Sequence, residues 1–330
     1  MAVKKGYSPS FIGKKLSVSL PELNNTQQSD VAPIEGEKEN LLNYVNYSLK
    51  LSKKRRFPFF TATNINGKLF KSIARKELFN GGSDRWVIDK RAVPYQWGDE
   101  LYTAEKSDFH RGHMTKREDP QWGTTKEEAV EGALSTFFFS NSVPQVAELN
   151  AREWASLETY LLKKEAQKNK LKINLFTGPV LSENDPLFVT KIKGQDVQIP
   201  TLFWKVIYFT PDGKTLKRVA FLMGQKDLLL KREIAKPKPK DPELEGTKAP
   251  VVVDPLFIDF KNAATYQVTV STIERLTGLK FPEAEEPFTD DRKLEIVVKK
   301  VEVDDALEGN KRGIKTVGDE LDFELEGLVL

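Results

Sequence analysis

His110 and His113 are the only histidines in the 330-residue chain, and they stand three residues apart in Phe109-His110-Arg111-Gly112-His113-Met114. Cysteine is absent, which excludes disulfides, thiolate nucleophiles and cysteine-based zinc or iron–sulfur sites. With two histidines, few imidazoles are left for metal binding or proton transfer. A His-x-x-His pair can hold zinc, but its remaining ligands here would have to be carboxylates. The same pair can instead supply a proton acceptor, because an imidazole with a pKa near 6.5 is half-neutral at useful pH. The third reading is a surface pair with no role, and the spacing alone leaves all three open.

The elements around the pair must position it. Leu42 to Leu49 alternates, and Phe57 to Ile65 followed by Asn66-Gly67 predicts a strand entering a turn. Trp154, Leu157, Leu161 and Leu162 recur at helical spacing, and Asn150 with Glu153 forms a plausible cap, so a helix is predicted to begin near Asn150. Three further strands are predicted over 173–180, 201–209 and 218–223, with Asp212-Gly213 as a hairpin turn. Residues 266–270 read as a strand, followed by a short helix capped by Ser271, running through Leu276 and ended by Gly278. Two more strands are expected near 294–298 and 323–330.

Charge is distributed unevenly. Residues 284–330 hold 7 basic and 14 acidic side chains, net −7, which leaves the rest of a chain of overall charge +3 at +10. A basic body suits a polyanionic partner, since lysine and arginine displace the counterions condensed on nucleic acid. The organisation predicted is an N-terminal arm over 1–40, a main domain over 41–283 and an acidic extension over 284–330. Within the main domain, 231–250 is Pro- and Lys-rich and reads as an extended surface loop. No apolar run is long enough to span a membrane, and no signal-peptide pattern follows Met1, so no membrane partner and a cytoplasmic location are expected, with delivery by a non-classical route left open.

The fifty residues after the histidines change the reading of the pair. They contain Phe137-Phe138-Phe139-Ser140-Asn141-Ser142-Val143-Pro144-Gln145, then Leu149-Asn150-Ala151-Arg152-Glu153-Trp154, then Leu157-Glu158. In this order they resemble the DNA/RNA non-specific endonuclease family, whose motif runs D-R-G-H, then S-N-x-x-P-Q, then N-x-x-x-W with a glutamate eight residues after the asparagine. The resemblance extends from roughly residue 42 to residue 282 and leaves both ends uncovered.

The resemblance implies an α+β fold, a ββα-metal (His-Me finger) nuclease with a central antiparallel sheet flanked by helices. It implies cleavage of DNA or RNA phosphodiester bonds to 5′-phosphate and 3′-hydroxyl ends, with Mg2+ as the metal and Mn2+ or another divalent cation as substitutes. His113 becomes the general base, Asn150 the metal ligand and Glu158 the carboxylate that orders the metal's water shell. Arg111 and, upstream, Arg85 in Asp84-Arg85-Trp86 are implied to steady phosphate, and Asn141 to support the site by hydrogen bonds. His110 departs from the pattern, because it stands where most of the family has aspartate, and an imidazole cannot supply that negative charge. Two other readings stay beside the nuclease: a non-catalytic nucleic-acid-binding module on the same fold, and a regulated toxin or defence effector with an inhibitor or regulatory partner. A homodimer is compatible with either.

Overall fold

The structure, a computed structural model, describes residues 6–37, 39–79, 82–147, 170–239, 265–290, 294–300, 323–326 and 329. Its centre is a nine-stranded sheet in the order β1-β2-β3-β6-β8-β9-β11-β12-β13, antiparallel throughout. The strands are β1 (Leu42–Asn43), β2 (Tyr47–Leu51), β3 (Pro58–Asn66), β6 (Lys172–Pro179), β8 (Leu202–Phe209), β9 (Lys217–Gly224), β11 (Thr265–Val268), β12 (Leu294–Lys300) and β13 (Phe323–Glu326). The predicted α+β class with a central antiparallel sheet and few helices is what the chain forms.

Strand β8 shows why the long strands were visible as apolar runs. Every residue from Leu202 to Tyr208 is buried, because both faces of the sheet are covered. Phe203 and Ile207 point into one apolar cluster, and Trp204, Val206 and Tyr208 into the other, as the two-residue period of a strand requires. Full burial of an aromatic or aliphatic side chain stabilises by about 1.5–3 kcal/mol, so this pair of clusters makes the sheet the rigid platform of the molecule.

The second cluster is closed by α6 (Val270–Thr277) and by Tyr7, Val18 and Leu23 from the N-terminal stretch. Tyr7 is further tied by its N–H to the Ser48 hydroxyl and by its phenol to the Val18 carbonyl, both at 2.8 Å. The N-cap of α6 is Thr269, whose hydroxyl accepts from the Thr272 N–H, and not Ser271. Val270 is fully buried, and the helix starts two residues earlier than the expected Ser271 cap would place it. Gly278 ends the helix at φ +72°, a left-handed conformation that a Cβ disfavours.

The first cluster faces the other side of the sheet. There β4 (Phe109–His113) and β5 (Ser142–Val146) form a separate antiparallel pair. Between them in sequence lies α4 (Lys126–Ser135), started by Thr125, whose hydroxyl accepts from the Glu128 N–H, and turning Ala129, Gly132 and Ala133 inward. The Pro- and Lys-rich loop begins later than expected: Ala235–Lys236 is a strand, β10, paired with β7 (Leu187–Phe188). Ile234 and Ala235 are buried in the first cluster, so apolar contact outweighs the polar composition that follows. The predicted helix near Asn150 lies outside the described residues, as does the rest of that loop from 240 onward. No helix among the described residues is long and apolar enough to cross a membrane.

Candidate active site

The β4–β5 register sets Phe109 opposite Val146, His110 opposite Gln145, Arg111 opposite Pro144 and His113 opposite Ser142. Alternation puts Phe109, Arg111 and His113 on one face of β4, with His110 and Gly112 on the other. Gly112 is required by close approach, because a Cβ there would lie 2.2 Å from the Gln145 Oε1. His113 ends the strand beneath two aromatic rings, with Trp86 at 4.6 Å and Phe137 edge-on at 4.9 Å between centroids. The residue keeps some surface, while its Nε2 is buried and has no hydrogen-bond partner among the described residues.

Polar contacts fix the strand ends. Past His113, the Asn141 carbonyl accepts from the Met114 N–H, and the Asn141 side chain accepts from the Thr115 N–H and donates to the Thr115 and Thr136 carbonyls, all at 2.9 Å. The Thr115 hydroxyl meets that of Thr63 on β3 at 2.9 Å, which ties the segment after His113 to the large sheet. At the other end the fully buried Gln225 amide accepts from the Val146 N–H at 3.0 Å and donates to the Pro144 and Pro200 carbonyls at 3.1 and 2.7 Å. Tyr102 adds a hydroxyl contact of 2.9 Å to Ser142. Neither end of the strand pair can move without breaking buried hydrogen bonds.

A cavity of about 630 Å³ opens over His113, lined among others by Arg75, Asp84, Trp86, His110, Arg111, Lys116, Arg117 and Glu118. A hollow of similar size, about 550 Å³, lies against α4, walled by Val45, Val130, Leu134 and Phe138 together with Lys126, Glu127, Glu131 and Ser135, and it contains no histidine. The chemistry therefore belongs to the first. Arg111 reaches the cavity, pairs with Asp99 and holds its guanidinium 5.3 Å from the Tyr102 ring centroid. His110 is exposed at the rim. Arg85 is exposed and does not line the cavity, although its neighbours Asp84 and Trp86 do. Asn150 and Glu158 lie outside the described residues.

Arg75, Lys116 and Arg117 were not singled out from the sequence. Lys116-Arg117-Glu118 follows the histidine motif after two residues, and that proximity was the available signal. Nothing local marks Arg75, which stands 38 positions before His113 and reaches the cavity only through tertiary folding.

Burial is the largest influence on His113, and with the cations of Arg75, Arg117 and Lys116 it depresses the imidazole pKa to about 3, against an opposing pull from Asp84. The ring is thus neutral throughout the physiological range and able to accept a proton. Folded His113 binds a proton less readily than the unfolded chain does, so stability rises with pH across the window from about 3 to 6.5 and is lost as pH falls below 6.5. At pH 5 this amounts to as much as about 2 kcal/mol, at 1.36 kcal/mol per pKa unit. Urea unfolding at pH 7 and pH 5 is expected to show that gap in the parent chain and a smaller one in His113→Gln; equal acid sensitivity of the two would contradict a neutral buried imidazole.

The described wall suits an anion better than a cation. Asp84 is taken up by Arg75, which holds its carboxyl below the usual range, and Glu118 by Arg117 and Lys116. Among the described residues no group of three or more histidines and carboxylates could hold a metal ion. The buried imidazole and the basic wall suit a phosphate group, and the metal ligands expected from the sequence, Asn150 and Glu158, lie outside the described residues.

Fold and site together define an α+β protein in which a buried histidine, its pKa depressed chiefly by burial, borders a cavity walled largely by arginine and lysine. The chain belongs to the DNA/RNA non-specific endonuclease family, whose model matches residues 25–287. It is 30% identical over 237 residues to the uncharacterized protein y4fB of Sinorhizobium fredii, covering 69% of this chain and 33% of that protein. It is 26% identical over 163 residues to human mitochondrial endonuclease G, covering 45% of this chain and 50% of the relative. With mitochondrial nuclease EXOG of Danio rerio the identity is 27% over 180 residues, 51% of this chain and 47% of the relative. The matches thus span half or less of these relatives' lengths. A solved complex of EndoG with EndoGI matches with a TM-score of 0.48 at 18% identity, covering 80% of this chain and 92% of that one.

Proposed function

We propose that the chain is a divalent-cation-dependent endonuclease that hydrolyses phosphodiester bonds of DNA, RNA or both without sequence preference. The observation that carries this reading is the neutral imidazole of His113, whose Nε2 has no hydrogen-bond partner among the described residues, in the lining of a cavity walled largely by arginine and lysine. Nε2 takes a proton from a water in line with the scissile bond, the water oxygen bonds to phosphorus, and the bond from phosphorus to the 3′ oxygen breaks. The departing oxygen takes up a proton, leaving a 3′-hydroxyl and a 5′-phosphate. Asn150, with Glu158 ordering the surrounding water, would hold Mg2+ or a substitute, which supplies Lewis-acid stabilisation of the phosphate's charge.

A base of pKa about 3 is weak in the free protein. Arriving phosphate cancels the field of Arg75, Lys116 and Arg117, so substrate binding raises the affinity of Nε2 for the proton it must accept. Arg111 stays at the rim of the same cavity as a phosphate contact. Since the contacts are to phosphate, which every nucleotide presents, they carry no base code.

The depressed basicity of His113 and the imidazole at position 110 also support a second reading, a nucleic-acid-binding module without turnover. Incubation with plasmid DNA and with RNA decides between them. Cleavage in magnesium that stops with chelator and returns on adding magnesium supports the nuclease, with 5′-phosphate ends on the products. Retention of intact nucleic acid under magnesium and manganese alike would favour the binding module.

A further inference from the structure

From the geometry of the cavity we propose that Arg75, Lys116 and Arg117, rather than Arg85, hold the phosphates of the nucleic acid beside His113, and that Asp84 occupies the Arg75 guanidinium until a phosphate replaces it. This inference rests on the reading of the chain as a nucleic-acid hydrolase and names the groups that grip its polyanion.

The two sides of the grip come from different elements. Arg75 opens α2 (Arg75–Leu78), while Lys116 and Arg117 follow β4 directly. Arg117 is anchored and only 16% exposed: it donates to the Ile73 carbonyl at 3.0 Å, to Gln121 at 2.9 Å and to Glu118 at 2.7 Å. Its bond to Ile73 also orders the segment two residues before Arg75, so one guanidinium helps to aim the other.

Arg75 is 61% exposed at the mouth of the cavity, with both its Nε and Nη2 given to the two oxygens of Asp84. A phosphodiester presents two oxygens to a guanidinium fork in the same manner as a carboxylate, so the Asp84 carboxyl marks a place built for that shape. Arg75, Arg117 and Lys116 are also the cations whose fields reach the His113 ring, whereas Arg111, two residues away, is turned to Asp99 and Tyr102. Arg85 is exposed outside the lining.

The test measures binding of a fluorescent duplex oligonucleotide to the full chain carrying His113→Ala, over about 50 to 200 mM salt. Adding Arg75→Ala or Lys116→Ala is expected to flatten the slope of log K against log salt by about 0.9 each and to weaken binding about tenfold. Adding Asp84→Asn instead is expected to tighten binding. Unchanged slope and affinity in both alanine variants, with melting as in the His113→Ala parent, would overturn the proposal. So would weaker binding in Asp84→Asn, which would make the pair a structural latch. A flattened slope with Arg85→Ala but not Arg75→Ala would return the role to Arg85. If the unaltered chain binds with the expected slopes but cuts nothing, the phosphate grip stands and the nuclease reading falls; normal cleavage with unchanged slopes sinks the grip alone.

Discussion

Replacing His113 by alanine is expected to slow phosphodiester cleavage by about 10² to 10⁴ fold, the usual contribution of a positioned general base, while the chain still folds. The argument runs through the ring's surroundings. Its Nε2 makes no hydrogen bond among the described residues, so its removal leaves none of them unsatisfied. What is lost is packing against Trp86 and Phe137, a cost that a platform with two apolar clusters can absorb. The proton acceptor has no nearby replacement on the inward face of β4, since Arg111 is permanently charged. Plasmid degradation in magnesium, run beside a thermal melt, reads both quantities. A variant retaining more than about a tenth of the parent rate would move the base elsewhere, and His110, exposed at the cavity rim, would then be tested by the same substitution.

Asn141→Ala is expected to lower stability by about 3–5 kcal/mol, from leaving three buried groups without partners at about 1–3 kcal/mol each. Those groups are the Thr115 N–H, the Thr115 carbonyl and the Thr136 carbonyl, all bonded to the Asn141 amide at a site with no solvent exposure. Asn141→Asp keeps the acceptor for the Thr115 N–H but turns a carboxylate toward two carbonyls, so it is expected to destabilise as well. Because the bonds clamp the residues just after His113, the folded fraction should also lose activity. Urea unfolding with a cleavage assay on the folded protein checks both effects. A loss below about 1 kcal/mol would mean that water replaces the amide and would remove Asn141 from the support of the base.

Much of the platform was legible before any coordinates. The strands β3, β6, β8 and β9 match their sequence-based bounds within one or two residues, because most of their residues are buried and each is rich in apolar, aromatic or β-branched side chains between turn residues. Helix α4 was not read, since its inward face is built from Ala129, Gly132 and Ala133, which leave no apolar period. Gly132 approaches so closely that a Cβ would lie 2.2 Å from the Pro120 carbonyl oxygen. Small residues chosen for close packing look, in one dimension, like residues of no preference.

The same division holds at the site. The order of the histidine motif, Asn141 and the Asn150–Glu158 pair carried the resemblance to a nuclease family, because these residues lie within one short stretch whose spacing survives in sequence. The Pro144 and Val146 contacts of Gln225, some eighty positions downstream, were invisible there.

The sequence by itself determined the sheet's strands, the absence of thiol chemistry and the candidate base, since these depend on residue type and on periods of a few residues. Only the tertiary structure decided that His113 is buried with its pKa depressed, that Arg85 does not line the cavity, and that Arg75 does. Burial and electrostatic fields are set by groups that meet through space, and the chain's local pattern holds no record of which distant side chains will face one another.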